Sequence, residues 1–246
     1  MGTTIRCSDC PLRAVGIFEP IADDHRVLVE SLRLPQVHRP AGAMLIAEGQ
    51  LQSPLYTLFS GWAYRYKTLG DGRRQILNFL LPGDFIGLQE KVAAGALHSV
   101  EALTDVWLCP FRRDALWQLH RGAPELGYAV TWLAAHEESL LDDNLLSVGR
   151  RNASERLAAL LLVLFKRAAA LLDPIPTEGI PFPLTQQLIA DAMGLSLVHT
   201  HRTLRLLERA GLHRIRDGRL QILNPKALAR LADVWADGRP VIRPLV

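Results

Sequence analysis

Residues 185–196 read Thr185-Gln-Gln-Leu-Ile-Ala-Asp-Ala-Met-Gly194-Leu-Ser196, a stretch that fits two short helices joined by a tight turn and little else. Ile189, Met193 and Leu195, with Leu204 further on, supply a small core between the helices, and Ala190 is small where the second helix must pack closely. Gly194 falls at the turn, where a positive φ is needed. Ser196 offers a hydroxyl to cap the next helix. That helix runs over 197–209 and stops before Gly211, a residue suited to the position just past a helix end. Helical spacing turns Leu197, Val198, His201, Arg202 and Arg205 outward in its first half, with His199 beside them. Next comes Ile215-Arg-Asp-Gly-Arg-Leu-Gln-Ile222, which reads as strand, Asp-Gly turn and strand with Arg216 and Arg219 at the tip.

Charge gives this segment its chemistry. The net charge of the whole chain is only +3, so the protein is not a polycation. Between residues 184 and 223, however, Arg202, Arg205, Arg209, Arg214, Arg216 and Arg219 face only Asp191, Glu208 and Asp217. A local arginine excess is the footprint of phosphate-backbone contact, and a capped helix carrying it is the element that enters a major groove. The pattern therefore implies a winged helix-turn-helix bound to double-stranded DNA, with Ser196, Leu197, Val198, His199, His201, Arg202, Arg205, Arg216 and Arg219 at the interface. His199 and His201 have i, i+2 spacing, which points them apart on a helix, so base or phosphate contact suits them better than a shared metal.

The rest of the chain differs in grammar. Short apolar stretches over 35–111 are punctuated by turn signals at Pro40-Ala-Gly42, Glu48-Gly49, Ser60-Gly61, Asp71-Gly72 and Pro82-Gly83. Asp71-Gly72 predicts a type I′ hairpin, and the regular spacing predicts a sandwich or barrel, with a jelly roll the best fit. Over 124–148 the punctuation stops. Leu126, Leu133 and Leu140 recur seven apart, widened by Val130, Leu141, Leu145 and Val148. Such a helix either packs on its own sandwich or forms a dimer seam, and Glu137 and Asn144 on the stripe make the seam imperfect. A second helix over 155–172 takes Asn152 or Ser154 as its cap.

The longest apolar run near a helix, 157–165, is too short to span a bilayer, and residues at the N-terminus show no apolar export signal. A cytoplasmic protein without membrane association is expected. No Ser/His/Asp order, paired carboxylate or phosphate-cradling glycine loop stands out, so an enzyme is disfavoured. The competing reading is a ligand- or redox-sensing module, iron–sulfur or small-molecule, whose helix-turn-helix serves protein contact.

The order β-roll, long helix, winged helix-turn-helix resembles the Crp/Fnr family of bacterial transcription regulators over nearly the whole chain. Pro82-Gly-Asp-Phe-Ile-Gly87, Arg150-Arg-Asn-Ala-Ser-Glu-Arg-Leu-Ala-Ala159 and residues 188–208 carry the resemblance, the second toward the Fnr branch. It implies an α+β fold: a cyclic-nucleotide-binding-like double-stranded β-helix (jelly roll) over 1–122, a dimerisation helix over 123–150 and a winged helix-turn-helix domain over 151–246. It further implies a homodimer on a palindromic promoter site in contact with RNA polymerase.

The departures restrict its chemistry. In the cyclic-AMP-binding branch a glutamate holds the ribose and an arginine pairs with the phosphate. Here those positions hold Leu88 and His98, although Ser99 remains. Without a guanidinium the phosphate loses its main charge-assisted hydrogen bonds, so cyclic AMP is disfavoured. In the oxygen-sensing branch four cysteines hold an iron–sulfur cluster. Cys7 and Cys10 match the first pair, Gly16 stands at the third position, and Cys109 lies near the fourth. Three thiolates fall short of the usual four. A fourth ligand from His25, Asp9, Asp23 or a small molecule, or zinc on the thiols, are open alternatives beside the favoured reading of no cofactor. The family also places a glutamate where Val198 stands, four residues before the retained Arg202, so the half-site should differ from the usual one.

Overall fold

The computed structural model describes residues 5–91, 95–234 and 241–246. Its residues fall into two compact units: the first lies within Met1–Tyr66, Phe79–Ser139 and Val241–Val246, the second within Lys67–Asn78 and Leu140–Pro240.

In the first unit, two short 3-10 turns, Cys7–Asp9 and Pro11–Ala14, precede helix α1 (Asp23–Leu32). A run of short strands follows: β1 (Val37–Arg39), β2 (Met44–Ile46), β3 (Leu55–Ser60), β4 (Ala63–Thr68), β5 (Arg74–Leu80), β6 (Phe85–Ile86), β7 (Glu90–Lys91), β8 (Gly95–Ala96), β9 (Ser99–Ala102) and β10 (Val106–Phe111), of which the end of β4 and most of β5 fall in Lys67–Asn78 of the second unit. They build two four-stranded sheets, ordered β1-β10-β3-β6 and β2-β9-β4-β5, with β7 and β8 as a separate pair. This is the expected jelly roll. β1 with β10, β10 with β3, β3 with β6, β2 with β9 and β4 with β9 all pair antiparallel, placing Val37 opposite Leu108 and Arg65 opposite Val100.

Two apolar clusters hold the unit together. One fills the roll with Leu58, Ala63, Ile86, Val100 and Leu108. The other packs Leu55, Phe85 and Phe111 of the β1-containing sheet against α1, α2 (Ala115–Gly122) and the first half of α3 (Pro124–Arg150). Burial of each large aliphatic side chain contributes about 1.5–3 kcal/mol. The stripe predicted on α3 accordingly divides. Leu126, Val130 and Leu133 are buried in the second cluster, whereas Leu145 is 69% exposed, as Tyr128 is at 71% on the same helix. Glu137, the polar interruption, is buried and pairs with the equally buried Arg65 of β4.

The hairpin at Asp71-Gly72 forms, but not with the expected type I′ turn. Only Gly72 has positive φ there. Gly72 N donates to Leu69 O at 2.9 Å, and the Asp71 carboxylate accepts from Arg73 N at 3.0 Å. An aspartate that hydrogen-bonds two residues ahead stabilises a right-handed turn followed by a left-handed glycine instead.

The second unit begins its helices with α4 (Ala153–Ala169), capped by Asn152 in a reciprocal box with Glu155. The chain continues through β11 (Ile180–Pro181), α5 (Gln186–Met193), α6 (Leu197–Arg209), β12 (His213–Arg216), β13 (Arg219–Ile222) and α7 (Pro225–Ala232). α4 packs against α6 and α7, with Leu157, Leu161, Leu207 and Leu228 all buried. The three strands form one sheet in the order β11-β13-β12.

Candidate nucleic-acid interface

The helix-turn-helix is assembled by caps at each junction. Thr185 accepts from Leu188 N at 3.2 Å to start α5. Gly194 ends α5 in the left-handed region, at φ 63° and ψ 38°. Two residues later Ser196 accepts from His199 N at 3.2 Å and starts α6. Gly211 is also left-handed, at φ 69°, and closes the far end as expected. Of the anticipated small core, Ile189, Ala190, Met193 and Leu204 are buried and Leu195 is half-buried.

α6 has two faces. Thr200, Thr203, Leu204 and Leu207 are buried, which fixes the rotation of the helix about its axis. The opposite face is then determined: Leu197 is 46% and Val198 62% exposed, and His199, His201, Arg202 and Arg205 are all exposed. His201 Nδ1 lies 3.1 Å from Gln186 Oε1, which steers its ring toward the start of α5. Val198, Arg202 and Arg205 follow one helical row, so two guanidinium forks and an apolar isopropyl group stand side by side. Such a row can clamp a guanine edge, meet a thymine methyl and touch phosphate.

The wing is a two-residue hairpin with Asp217 at φ 50° and Gly218 at φ 68°. Here the Asp-Gly pair does adopt the double positive-φ turn. Its two arginines behave differently. Arg216 is exposed. Arg219 turns back, donating from Nη1 to Gly179 O at 2.7 Å and pairing through Nη2 with Glu178 at 3.4 Å. Sequence pattern cannot separate these two, because the loop that captures Arg219 lies 40 residues upstream.

Three side chains outside the motif hold the C-terminal end of α5. Arg156 Nη1 donates to Met193 O at 2.9 Å, and Gln75 Nε2 to Ala192 O at 2.9 Å. Arg74 pairs with Asp191 at 3.3 Å, and Gln187 donates to the same carboxylate at 2.7 Å. A helix C-terminus carries partial negative charge, and cationic or N–H donors there are favourable. None of these was foreseen as part of the interface. The only hint was the cluster of charged residues at 150–156.

The three thiols lie in the first unit. Cys7 is buried, and Cys10 and Cys109 are half-buried. All three line one cavity, together with Arg13, Arg33 and Val246. Burial pushes the Cys7 thiol up from its ordinary pKa, against the opposing pull of Arg33. Cys109 Sγ accepts from Gln36 Nε2 at 3.3 Å and from Arg33 Nη1 at 3.7 Å. The oxygen and nitrogen donors considered as a fourth ligand are engaged elsewhere: Asp9 with Ser8, Asp23 with Arg26 and His25 with Glu125. Among the described residues no group of three or more His, Cys, Asp or Glu side chains is disposed to hold a metal ion. The donor set therefore does not fit a four-thiolate cluster. At the nucleotide-like positions, His98 is buried, Leu88 packs against the second apolar cluster, and Ser99 accepts from Glu48 N at 3.1 Å.

A β-roll unit and a winged helix-turn-helix with an exposed arginine row define a DNA-binding regulator rather than an enzyme. The chain matches the family model of the Crp-like helix-turn-helix domain over residues 155–231 and that of the cyclic nucleotide-binding domain over residues 36–122. It is 34% identical over 227 residues to the nitrogen fixation regulation protein FixK of Bradyrhizobium diazoefficiens, covering 92% of this chain and 93% of that protein. It is likewise 34% identical over 230 residues to the transcriptional activatory protein AadR of Rhodopseudomonas palustris, with the same coverage of 92% and 93%. Among solved structures, FixK2 from Bradyrhizobium japonicum superposes with a TM-score of 0.72 at 26% identity, covering 81% of this chain and 96% of that one. The chain belongs to the Crp/Fnr family and is a DNA-binding transcription regulator. Among the described residues no helix is long and apolar enough to cross a membrane.

Proposed function

We propose that the protein acts in the cytoplasm as a homodimer on palindromic promoter sites, with α6 in the major groove and RNA polymerase as its partner there. Residues 1–122 serve as the sensor domain, 123–150 as the dimerisation helix and 151–246 as the DNA-binding domain. The observation that carries the reading is the two-faced α6, whose buried threonines and leucines leave Val198, Arg202 and Arg205 outward. Ser196 positions the helix start, Leu197, His199 and His201 flank the reading row, and Arg216 approaches phosphate from the wing. Arg219 supports the wing from behind, which refines its expected phosphate role. The exposed Tyr128, Leu145 and Leu146 on α3 support a dimer seam. No resident cofactor is assigned to Cys7, Cys10 and Cys109, and cyclic AMP does not suit a site with Leu88 and His98.

Fluorescence anisotropy on DNA fragments recovered with the protein tests this. Arg202→Ala should lose about 1–3 kcal/mol of discrimination at one base step, some 5- to 150-fold. Discrimination should be unchanged at the other positions. Wild-type protein with no preference among promoter fragments, or Arg202→Ala with unaltered discrimination, would refute the proposal.

A further inference from the structure

Val241–Val246 belongs to the first unit, although the chain reaches it only after leaving the run Leu140–Pro240 of the second. It lies alongside Phe18 as a parallel bridge. Arg243 N donates to Ile17 O at 2.9 Å, and Glu19 N donates to Arg243 O at 2.9 Å. The Arg243 guanidinium pairs with the buried Asp84 carboxylate, donates to Pro82 O at 2.9 Å and sits 5.0 Å from the centroid of the Phe18 ring. The other Asp84 oxygen accepts from Leu81 N at 2.7 Å. Further along, Thr57 Oγ1 donates to Val246 O, and Leu245 and Val246 are buried. A Cβ on Gly83 would stand 2.3 Å from Phe18 Cζ and 3.0 Å from Arg243 Nη2, so the floor of this seat is bare backbone.

The arrangement has the character of a ligand in a groove. The segment's backbone contact is a single bridge, not a strand ladder. Of the twelve buried residues in the cluster that receives Val246, the other eleven precede Ser139 in the chain. Specificity comes from one acidic cup with an aromatic wall, which suits one guanidinium, followed by an apolar pocket. Backbone bonds for affinity and pockets for alternate side chains are a recurring mode of peptide recognition.

We propose that the first unit carries a binding groove for an extended peptide of the pattern Arg-x-Leu-Val, and that its resident ligand is the chain's own Arg243-Pro-Leu-Val246, held as a displaceable latch. Seated, the latch supplies Leu245 and Val246 to the lining of the cavity that Cys7, Cys10 and Cys109 share. Displaced, it opens that cavity to solvent.

Native-state alkylation of the full-length protein, read for each cysteine by mass spectrometry, tests the latch. Arg243→Ala removes the guanidinium from its cup, and a lost charge-assisted bond corresponds to an open fraction about tenfold or more larger. Cys7 in this variant should react about tenfold faster than in wild type. Millimolar peptide Val-Ile-Arg-Pro-Leu-Val should slow it again by refilling the groove, and the same peptide with alanine for its arginine should not. Three results would overturn the proposal: Cys7 reactivity within twofold of wild type, acceleration that the peptide does not reverse, or all three thiols reacting as fast as in the urea-unfolded chain.

Discussion

Replacing Gly194 with alanine tests whether the turn of the helix-turn-helix is held by backbone conformation alone. Gly194 sits at φ 63° and ψ 38°. A Cβ built there meets nothing nearer than Arg156 Nη1 at 3.9 Å and Gln75 Oε1 at 4.0 Å, which is ordinary contact. The steric cost is therefore nil. What is left is the left-handed backbone of an L-residue, about 1–2 kcal/mol, offset by about 0.4–1 kcal/mol because alanine restricts the unfolded chain more than glycine. The net expectation is about 1 kcal/mol. Gly211→Ala, at φ 69° in open space, should cost the same. Gly179→Ala should cost more than either, since its Cβ would lie 2.3 Å from the Leu220 carbonyl oxygen. Native-state hydrogen exchange over residues 195–207 measures the difference locally, where a two-unit chain makes a single melting temperature ill-defined. Gly194→Ala should accelerate the slowest amides there about fivefold, and Gly194→Asn by less, because asparagine tolerates this region. A Gly194→Ala cost above about 3 kcal/mol, or one equal to that of Gly179→Ala, would refute the idea that φ rather than packing selects glycine.

Two further perturbations address buried polar groups. Glu137→Ala removes one side of the buried pair with Arg65 and should destabilise the first unit by about 3–5 kcal/mol, while Arg65→Met with Glu137→Leu should recover most of that in urea melts. His213 is 2% exposed, and burial lowers its pKa against opposing pulls from Glu208 and from a hydrogen bond with the Leu204 backbone. The unfolded chain takes up the proton near the ordinary histidine value of about 6.5, the folded chain only below it. Stability of the second unit should thus be full above about pH 7 and fall as pH drops through 6.5 toward the folded pKa. Urea midpoints from pH 8 to pH 5 should show this slope in wild type and lose it in His213→Leu.

The local rules carried furthest where neighbours in sequence are neighbours in space. Gly194, Ser196 and Gly211 could be assigned roles at once, because caps and left-handed turns depend on residues within three or four positions. The jelly roll was legible from its turn spacing, since most strands are bounded by a glycine or proline, although Leu103-Thr104-Asp105 joins β9 to β10 without either. Long-range partners were not. Glu137 reads as a flaw in a heptad until Arg65 is seen beside it, 72 positions away. Likewise, nothing near Arg219 announces that Gly179 will hold it. The same limit hid Arg74, Gln75 and Arg156, which act on α5 through tertiary contact. At Asp71-Gly72 a local rule did fail, because the aspartate side chain bonded Arg73 N and selected another turn. The cysteines show the converse: their spacing suggested ligands, but sequence could not foretell that Cys109 accepts hydrogen bonds from Gln36 and Arg33.

The late return of Val241–Val246 to the first unit has a consequence for synthesis. Residues up to Ser139 leave the ribosome long before Val241 does. At roughly 5–20 residues per second, about 100 intervening residues take on the order of 5–20 s. Throughout that interval the nascent roll can close its sheets and bury its leucines, but Asp84 has no Arg243 and Thr57 has no Val246 to meet. The first unit is therefore born with an open acidic cup, and Arg243 can fill it only after residues 140–240 have been made.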